Sequence, residues 1–333
     1  MSATDPPYFL SFFHVLDELT NHLSEPILPV KPRGSSVLTP ANRTACGVSS
    51  PGTAVSLSMI AQDTASLRHG ASLATQELHD ALFQRDAVHT LFFCSPGCPL
   101  SELGEALRAQ FPATPLVGCT TAGEIGPLGY RTASLTGVSF EVTDFQVAIS
   151  RIDEIDDSPM SKAAFLAQSA LTDLRARGCL PTGSNTFGLM LIDGLSHQEE
   201  VIANALFGQL GDIQRFGGSA ADGTRFEHTF VFHEGDFHER SAVFILIDTH
   251  LPFTLFKTEH FVATDDKMVV TQADSSRLLV AGINGDMEQN GIKEQVGRIY
   301  AANNVIGFST YDDQFNAMHV NQTLTGVAIG HAA

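Results

Sequence analysis

The sequence has few basic residues for its length. Its 333 residues include 19 Lys and Arg against 37 Asp and Glu, which gives a formal net charge of −18 at pH 7. Nucleic-acid affinity comes largely from cations that displace counterions from phosphates, so this charge argues against a sequence-independent DNA or RNA binder. It equally argues against a protein held on an anionic membrane by charge.

Long apolar runs and a regular set of cysteines are also missing. No stretch approaches the roughly 20 apolar residues that span a bilayer, and no basic segment precedes the apolar patch Tyr8–Phe13, as it would in a signal peptide. The five cysteines are scattered, which does not suit a secreted disulfide framework. These features predict a cytoplasmic protein. With 43% hydrophobic and 17% charged residues, the chain has the composition of a globular protein with a core.

Prolines and glycines divide the chain into regions. Residues 1–51 carry prolines that interrupt every helical period, so we predict a flexible leader with at most a short amphipathic helix at Phe9–Leu23. From residue 53, helical and strand patterns alternate, beginning with a predicted helix at Thr53–Arg85. Strand patterns dominate later. This order predicts an α/β fold with layered helices and a mixed sheet.

Two segments have clear boundary signals. Pro159 suits the first position of a helix that ends before Gly178, and TFGLMLI at Thr186–Ile192 has the composition of a buried strand. A further helix is predicted at Ser196–Leu210, where Ser196 and Glu199 have the spacing of a capping box.

Three short segments share one pattern of small residues. Each begins with an apolar residue and glycine and continues through small or hydroxyl-bearing residues to an acidic one; they are Val117–Glu124, Phe216–Gly223 and Ile306–Asp313. Such loops let backbone N–H groups approach a ligand. Glycines that serve only strand-to-turn connections would give the same pattern. None matches a phosphate loop or a dinucleotide fingerprint, so the repeats predict a shared structural unit without identifying a ligand.

Five motifs, in this order, resemble the FIST family of sensory proteins. They are LFFCSPGCPLSELGEAL, PLVGCTTAGEIGPLGY, SLTGVSF, DGLSHQEE and RFGGSAADG, between about Gly52 and Gly285. The resemblance implies a ligand-binding input module of bacterial signal transduction. KTEHFVATDDKMVVTQA and VIGFSTYDDQFNAMHVNQTLTGVAIG are most similar to bacterial nitric-oxide-sensing haemoproteins of the NosP type, which act on a partner histidine kinase.

The resemblance also implies how the chain is divided. Residues 52–285 correspond to the FIST N-type ligand-sensing domain, and residues 286–333 to a strongly shortened remnant of the C-type domain. A remnant below the roughly 60 residues at which lone domains become marginal must pack on the first domain or remain frayed. Asp312 and Asp313 stand where the family usually has Gly-Glu, which adds a Cβ where a turn would favour glycine.

By resemblance, haem is the leading cofactor and nitric oxide the signal. His260 is the first candidate for the axial ligand, because it lies among aromatic residues and haem iron takes one neutral imidazole between apolar walls. A half-exposed histidine at a strand end would give the same local sequence. His319 is the second candidate. Ligand recognition is assigned to the first two repeats; the residues are Gly118, Cys119, Thr120, Thr121, Gly123, Glu124, Gly217, Gly218, Ser219 and Asp222.

Enzymatic and metal chemistry has weaker support. Asp193, Ser196 and His197 have the composition of a catalytic triad but lie too close together in sequence for separately oriented members. Cys94 and Cys98 lack the second pair that a structural zinc site needs. The acidic runs Asp153–Asp157 and Asp265–Asp266 lack the ligand spacing of an EF-hand, so we interpret them as solvated turns.

Together with the composition, the resemblance implies a non-catalytic cytoplasmic sensor of a small ligand, with haem as the leading cofactor and a histidine kinase as the partner. One alternative is a FIST sensor of an organic ligand, such as an amino acid, without haem. Another is a thiol-dependent enzyme that uses Cys119 as its nucleophile. The last is a scaffold without a ligand.

Overall fold

The computed structural model of the chain describes the larger part of the sequence. The described residues are 8–12, 70–82, 87–95, 99–126, 129–223, 225, 227–259, 270–274, 279–283, 309–312, 318–321 and 323–329. The helices in them are α1 (Ala71–Leu82), α2 (Leu100–Gln110), α3 (Pro159–Ala176) and α4 (Glu199–Leu210). The strands are β1 (Tyr8–Phe12), β2 (Ala87–Cys94), β3 (Leu116–Thr120), β4 (Glu124–Gly126), β5 (Gly129–Arg131), β6 (Leu135–Glu141), β7 (Phe145–Ile152), β8 (Thr186–Ile192), β9 (Gln214–Ser219), β10 (Val231–His233), β11 (Asp236–His238), β12 (Ala242–Thr249), β13 (Phe253–Glu259), β14 (Val270–Asp274), β15 (Leu279–Ile283), β16 (Ser309–Asp312), β17 (Met318–Asn321) and β18 (Thr323–Ile329).

Two large sheets face each other across the central core. The first sheet has the strand order β11-β10-β3-β2-β6, and the second has the order β17-β16-β9-β8-β12-β7. Alternate residues of each strand point to the same face of a sheet. Leu91 and Val117 of the first sheet therefore meet Leu189, Phe216 and Ile245 of the second in one buried cluster.

Helices cover the outer face of each sheet. Helices α1 and α2 pack on the first sheet through a cluster that includes Leu78, Leu107 and Phe92. Helices α3 and α4 pack on the second sheet through a cluster that includes Leu166 and Leu206. The main body therefore has four layers in the order helix, sheet, sheet, helix, and the predicted α/β class with mixed sheets is confirmed.

Several local predictions are confirmed. Thr186–Ile192 is a strand that is buried along its whole length, because both of its faces are covered. Helix α3 begins at Pro159, and Gly178 follows its end with a φ of +88°.

Other predicted elements differ from the structure. Helix α1 occupies only part of the predicted helix Thr53–Arg85, whose residues 53–69 and 83–86 lie outside the described residues. The predicted capping box is wrong, because α4 begins at Glu199 without a side-chain cap. The loop prediction is also wrong for Gly118–Thr120 and Phe216–Ser219, since these residues form the carboxyl ends of β3 and β9.

The helix predicted at Phe9–Leu23 is wrong where the structure describes that segment. Tyr8–Phe12 is strand β1, which pairs antiparallel with β18, and its aromatic and aliphatic residues suit a strand. The rest of residues 1–51 lies outside the described residues.

The described strands of residues 286–333 pair with strands from earlier in the chain. Strand β16 pairs with β9 of the second sheet, and β18 lies between β1 and β13 in a third sheet. Val327 and Ile329 of β18 are part of the central core. The described C-terminal strands therefore pair with strands from earlier in the chain, and the predicted division at residue 285 stays a prediction.

Candidate functional site

Two parallel strand pairs end side by side at one edge of the molecule. Strand β2 is joined to β3 by α2, and β8 is joined to β9 by α4. The backbone N–H of Ala221, just after β9, donates to the carbonyl oxygen of Thr120 at the end of β3, at 2.9 Å. We call this place the joined edge, and it comprises Ser95, Thr120–Glu124, Asp193, Glu199 and Ser219–Asp222. Ligands of open α/β sheets bind outside the carboxyl ends of parallel strands, so this is the candidate site.

Glu124 is a buried carboxylate held by three hydroxyl groups. Ser95 Oγ donates to its Oε2 at 2.9 Å, Ser134 Oγ donates to the same oxygen, and Thr121 Oγ1 donates to Oε1. Burial nevertheless raises the pKa of Glu124 from 4.5 to about 7, because desolvation of the charged form outweighs the three hydrogen bonds. Glu124 therefore changes from its protonated to its ionised form near neutral pH.

Asp193 joins three separate segments of the chain. Its Oδ1 accepts hydrogen bonds from the Leu195 N–H at 2.9 Å and from Thr229 Oγ1, and its Oδ2 accepts from the Arg240 N–H at 2.6 Å. The residue is buried. This carboxylate fixes the turn after β8 and ties it to the segments on either side of β10 and β11.

Glu199 is a second buried carboxylate with a raised pKa. It is the first residue of α4, and Ser219 Oγ donates to its Oε1 at 3.2 Å. Burial raises the pKa of Glu199 from 4.5 to about 7, and the nearby charge of Asp193 adds to the shift. The side chain that sequence spacing assigned to a cap therefore faces the end of β9.

Asp222 closes the loop that follows β9. Its Oδ2 accepts the N–H groups of Glu227 at 2.8 Å and His228 at 3.1 Å. The structure thus assigns Asp222 a conformational role in this loop.

The predicted ligand-binding residues separate into two groups. Thr121, Glu124, Ser219 and Asp222 carry buried polar groups at the joined edge. Gly118 lies inside β3, where a Cβ would overlap the carbonyl oxygen of Phe92 and lie 2.8 Å from its Cδ1, so close packing accounts for this glycine.

The remaining predicted residues contribute mainly backbone. Thr120 uses its hydroxyl to accept the Phe230 N–H at 3.0 Å, and Gly123 and Gly217 are buried. Gly218 is different, because no heavy atom of the described residues lies within 4 Å of the position that a Cβ would occupy. Among the described residues, open space therefore lies on the face of the sheet toward which a Gly218 Cβ would point, while β16 pairs along the edge of β9.

Cys119 is placed unfavourably for a nucleophile. Its side chain lies in the central core and is only 3% exposed. Burial and the nearby Glu124 carboxylate both raise the pKa of the Cys119 thiol. These features argue against the thiol-dependent enzyme.

Of the two candidate haem ligands, the structure describes the backbone of His319 and not His260. His260 lies outside the described residues, directly after β13. His319 belongs to β17, where its backbone is opposite Tyr311. The described residues contain no group of three or more His, Cys, Asp and Glu side chains arranged to hold a metal ion.

The other sequence candidates have structural explanations. Ser196 Oγ donates to the carbonyl oxygen of Asp193 at 2.7 Å, so the Asp193, Ser196 and His197 group is a turn and not a triad. In the run Asp153–Asp157, ion pairs join Asp156 to Arg240 and Asp153 to Arg151. Cys94 is buried, and Cys98 and Asp265–Asp266 lie outside the described residues.

Sequence reasoning did not identify Ser95, Ser134, Asp193 and Glu199 as one site. A buried carboxylate is found only through the residues that fold against it, and here those partners are distant in sequence. One local signal was present, because Ser95 and Asp193 each follow a strongly apolar strand.

An open cleft of about 540 Å³ lies elsewhere, and we do not place the functional site there. It is lined by Arg108, Phe111, Leu116, Phe232 and Glu234, at the opposite ends of β3 and β10 from the joined edge. An ion pair between Arg108 and Asp236 already uses its main cation.

In the part of the chain that the structure describes, no helix is both long and apolar enough to cross a membrane.

The comparison with protein families identifies the domain. The family model of the FIST N domain matches residues 89–286, which include the whole joined edge and both strand pairs apart from the first two residues of β2. No curated protein matches the chain. A FIST domain indicates a sensory role in signal transduction and a small-molecule ligand. Because the match covers more than half of the 333 residues, the chain belongs to the FIST family.

Proposed function

We propose that this chain is a non-catalytic sensory protein that binds its small ligand at the joined edge. The observation that carries the proposal is the hydrogen bond from Ala221 N–H to the Thr120 carbonyl oxygen, which unites the ends of the two strand pairs. A ligand bound there touches both halves of the domain. A ligand that prefers one arrangement of these halves shifts the population toward it, which is the requirement for a sensor.

The chemistry of the joined edge favours a polar organic ligand with a cationic group, such as the ammonium group of an amino acid. Its buried polar side chains are hydroxyls and the carboxylates of Glu124, Asp193, Glu199 and Asp222. A nearby cation stabilises the ionised form of a carboxylate whose pKa burial has raised. The open space beside Gly218 gives room for such a ligand.

The same residues do not fit haem. The macrocycle needs apolar walls, and its anionic propionates would face buried carboxylates at this edge. A haem-based, nitric-oxide-responsive sensor therefore has to use another place, and His260, directly after β13, is the proposed axial ligand. This second candidate rests on the sequence resemblance and on the apolar character of β13, whose Leu255 is buried in the central core.

The haem candidate makes a direct prediction. Wild-type protein mixed with haem should give a sharp Soret band that shifts on reduction and exposure to nitric oxide, and His260→Ala should lose the band. His250→Ala is the control, because His250 is an exposed histidine beside Asp144. No specific band in the wild type, or an unchanged band in His260→Ala, removes this candidate.

The output is proposed to be a partner histidine kinase in the cytoplasm. The resemblance to nitric-oxide-sensing proteins of the NosP type supports this partner, and the net charge of −18 does not suit nucleic acid as an alternative. The test of the sensory function is a screen of unfolding temperature against haem and a panel of amino acids, because a ligand that binds only the folded state stabilises it.

A further inference from the structure

We call the segment from β2 to β6 the first half of the main body and the segment from β8 to β12 the second half. Both have the same order of elements, which is strand, helix, strand, hairpin and strand. In the first half Cys94 is opposite Thr120 across β2 and β3, and in the second Ile192 is opposite Ser219 across β8 and β9. The residue after each second strand donates its N–H to the end of the first strand: Thr121 to Cys94 at 2.9 Å, and Ala220 to Ile192 at 2.7 Å.

The match continues into the next strands. Ser95 donates its N–H to the Ser134 carbonyl oxygen before β6, and Asp193 donates to the Ser241 carbonyl oxygen before β12. Strands β6 and β12 each pair antiparallel with the first strand of their half. Ser134 and Ser241 are therefore equivalent positions.

Each half also contains one short hairpin of the same size. Hairpin β4–β5 pairs Glu124 with Arg131, and hairpin β10–β11 pairs Val231 with His238. The second half places its hairpin on the first sheet, where β10 lies antiparallel to β3 with Val231 opposite Cys119. Hairpin β4–β5 forms a separate two-stranded sheet among the described residues.

The equivalent place on the second sheet is taken by the C-terminal hairpin. Strand β16 lies antiparallel to β9 with Thr310 opposite Gly218, and Gly218 is the equivalent of Cys119. If the two halves were fully equivalent, hairpin β4–β5 would pair with β9 in this position and register. Hairpin β16–β17 occupies that position instead.

The connection into β4 is long enough for that position. In the second half, the Ala221 N–H donates to the Thr120 carbonyl oxygen, and the Thr120 N–H donates to the Phe230 carbonyl oxygen. Residues 222–229 therefore form a loop whose two ends both lie beside Thr120. If this loop is left out of the count, three residues (220, 221 and 230) connect β9 to β10. The first half has residues 121–123 between β3 and β4, which is the same number.

Glu124, the first residue of β4, holds hairpin β4–β5 in its present place. Its hydroxyl donors Ser95 and Ser134 follow β2 and precede β6, so the carboxylate ties β4 to the first sheet and away from β9.

We propose that hairpins β4–β5 and β16–β17 exchange at the edge of β9, and that the contacts of Glu124 decide which hairpin is docked. This rests on the proposed function in one respect, since a ligand at the joined edge acts on the exchange through Glu124. The exchange would carry a signal from the joined edge to the C-terminal segment.

A cysteine introduced in place of Gly218 can report which hairpin is docked. Directly opposite residues of antiparallel strands have Cα atoms about 4.5–5.5 Å apart, within the range of a disulfide. The variant Glu124→Cys/Gly218→Cys/Thr310→Cys offers the new thiol on β9 a partner on each hairpin, and the Gly218 substitution meets no heavy atom of the described residues within 4 Å. Because Glu124→Cys also removes the carboxylate that holds β4–β5 on the first sheet, this variant favours the exchanged arrangement. After oxidation under native conditions, peptide mapping should find both the 218–310 and the 124–218 disulfides. Finding only the 218–310 disulfide overturns the exchange.

Hydrogen exchange tests the same inference without cysteines. Ser134→Ala weakens the hold on Glu124, so β4–β5 should compete better for β9 and amide exchange in residues 309–321 should rise by about tenfold. Ser241→Ala is the control at the equivalent position, where the hydroxyl contacts Asp153 instead of Glu124. Unchanged exchange in Ser134→Ala, or an equal rise in both variants, contradicts the proposal. Neither experiment uses a ligand, so its failure leaves the proposed function standing, and a failed ligand screen leaves the exchange standing.

Discussion

Asp193→Ala is expected to lower the free energy of unfolding by about 3–5 kcal/mol. The substitution removes the acceptor for the Leu195 N–H, the Thr229 hydroxyl and the Arg240 N–H. Because Asp193 is buried, these donors lose their partner where water cannot readily replace it. The two ends of the segment that contains β10 and β11 would lose their common anchor.

Urea denaturation followed by circular dichroism measures this effect. Asp193→Asn should be less damaging, because its amide oxygen still accepts while its NH₂ group faces one of the N–H donors. Asp173→Ala is the control, since Asp173 forms an exposed helical ion pair with Arg177 and such pairs contribute about 0.3–0.5 kcal/mol. A loss in Asp193→Ala no larger than in Asp173→Ala would show that Asp193 does not join these segments.

The second large expected effect is a loss of stability as pH rises from 5 to 8. The pKa of Glu124 and of Glu199 is raised from 4.5 to about 7 in the folded protein, so the folded state holds protons that the unfolded state releases. The stability that these groups contribute is complete below pH 4.5 and is lost as pH rises through 7. Each contributes about 3 kcal/mol over that window.

His89 acts in the opposite direction. Burial lowers its pKa from 6.5 to about 3, and its ring nitrogens have no hydrogen-bond partner in the described residues. Its contribution is complete above pH 6.5 and is lost as pH falls through 3. Between pH 5 and 8, His89 offsets part of the loss from the two carboxyl groups, and so does His233, whose pKa burial also lowers. The net decline is therefore at most about 3 kcal/mol.

The pH series is best compared with Glu124→Gln/Glu199→Gln. The double variant should show no decline between pH 5 and 8, whatever its stability at a single pH, because the amides do not titrate. Urea midpoints at four pH values provide the comparison. A wild type that becomes more stable across this range, or a double variant that keeps the decline, contradicts the raised pKa of the two carboxyl groups.

The sequence predicted several buried strands and helices of the layers. It predicted less well which side chains contact each other in the folded chain. The buried strand Thr186–Ile192 and helix α3 follow from composition and from Pro159 and Gly178, which act locally. Gly118 misled the interpretation, because a glycine required by the close approach of Phe92 resembles a loop glycine in sequence.

The contacts that define the site depend on tertiary structure. Glu199 has the spacing of a capping box, yet it contacts Ser219 on β9. In sequence Asp193 stands beside Ser196 and His197, while its partners Thr229 and Arg240 are brought to it by β10 and β11. The repeats at Val117–Glu124 and Phe216–Gly223 were a genuine signal of the duplicated strand pairs, whose equivalence only the matched backbone hydrogen bonds reveal.

Ligand binding at the joined edge is the central claim, and the unfolding temperature of the wild type and of Gly218→Val tests it most directly. Valine suits a strand and fills the open space at Gly218 without bringing its Cβ within 4 Å of a heavy atom of the described residues. We predict that at least one amino acid in the panel raises the unfolding temperature of the wild type, and that Gly218→Val, folded as before, loses the rise. No rise with any amino acid, or an equal rise in both proteins, would contradict the claim.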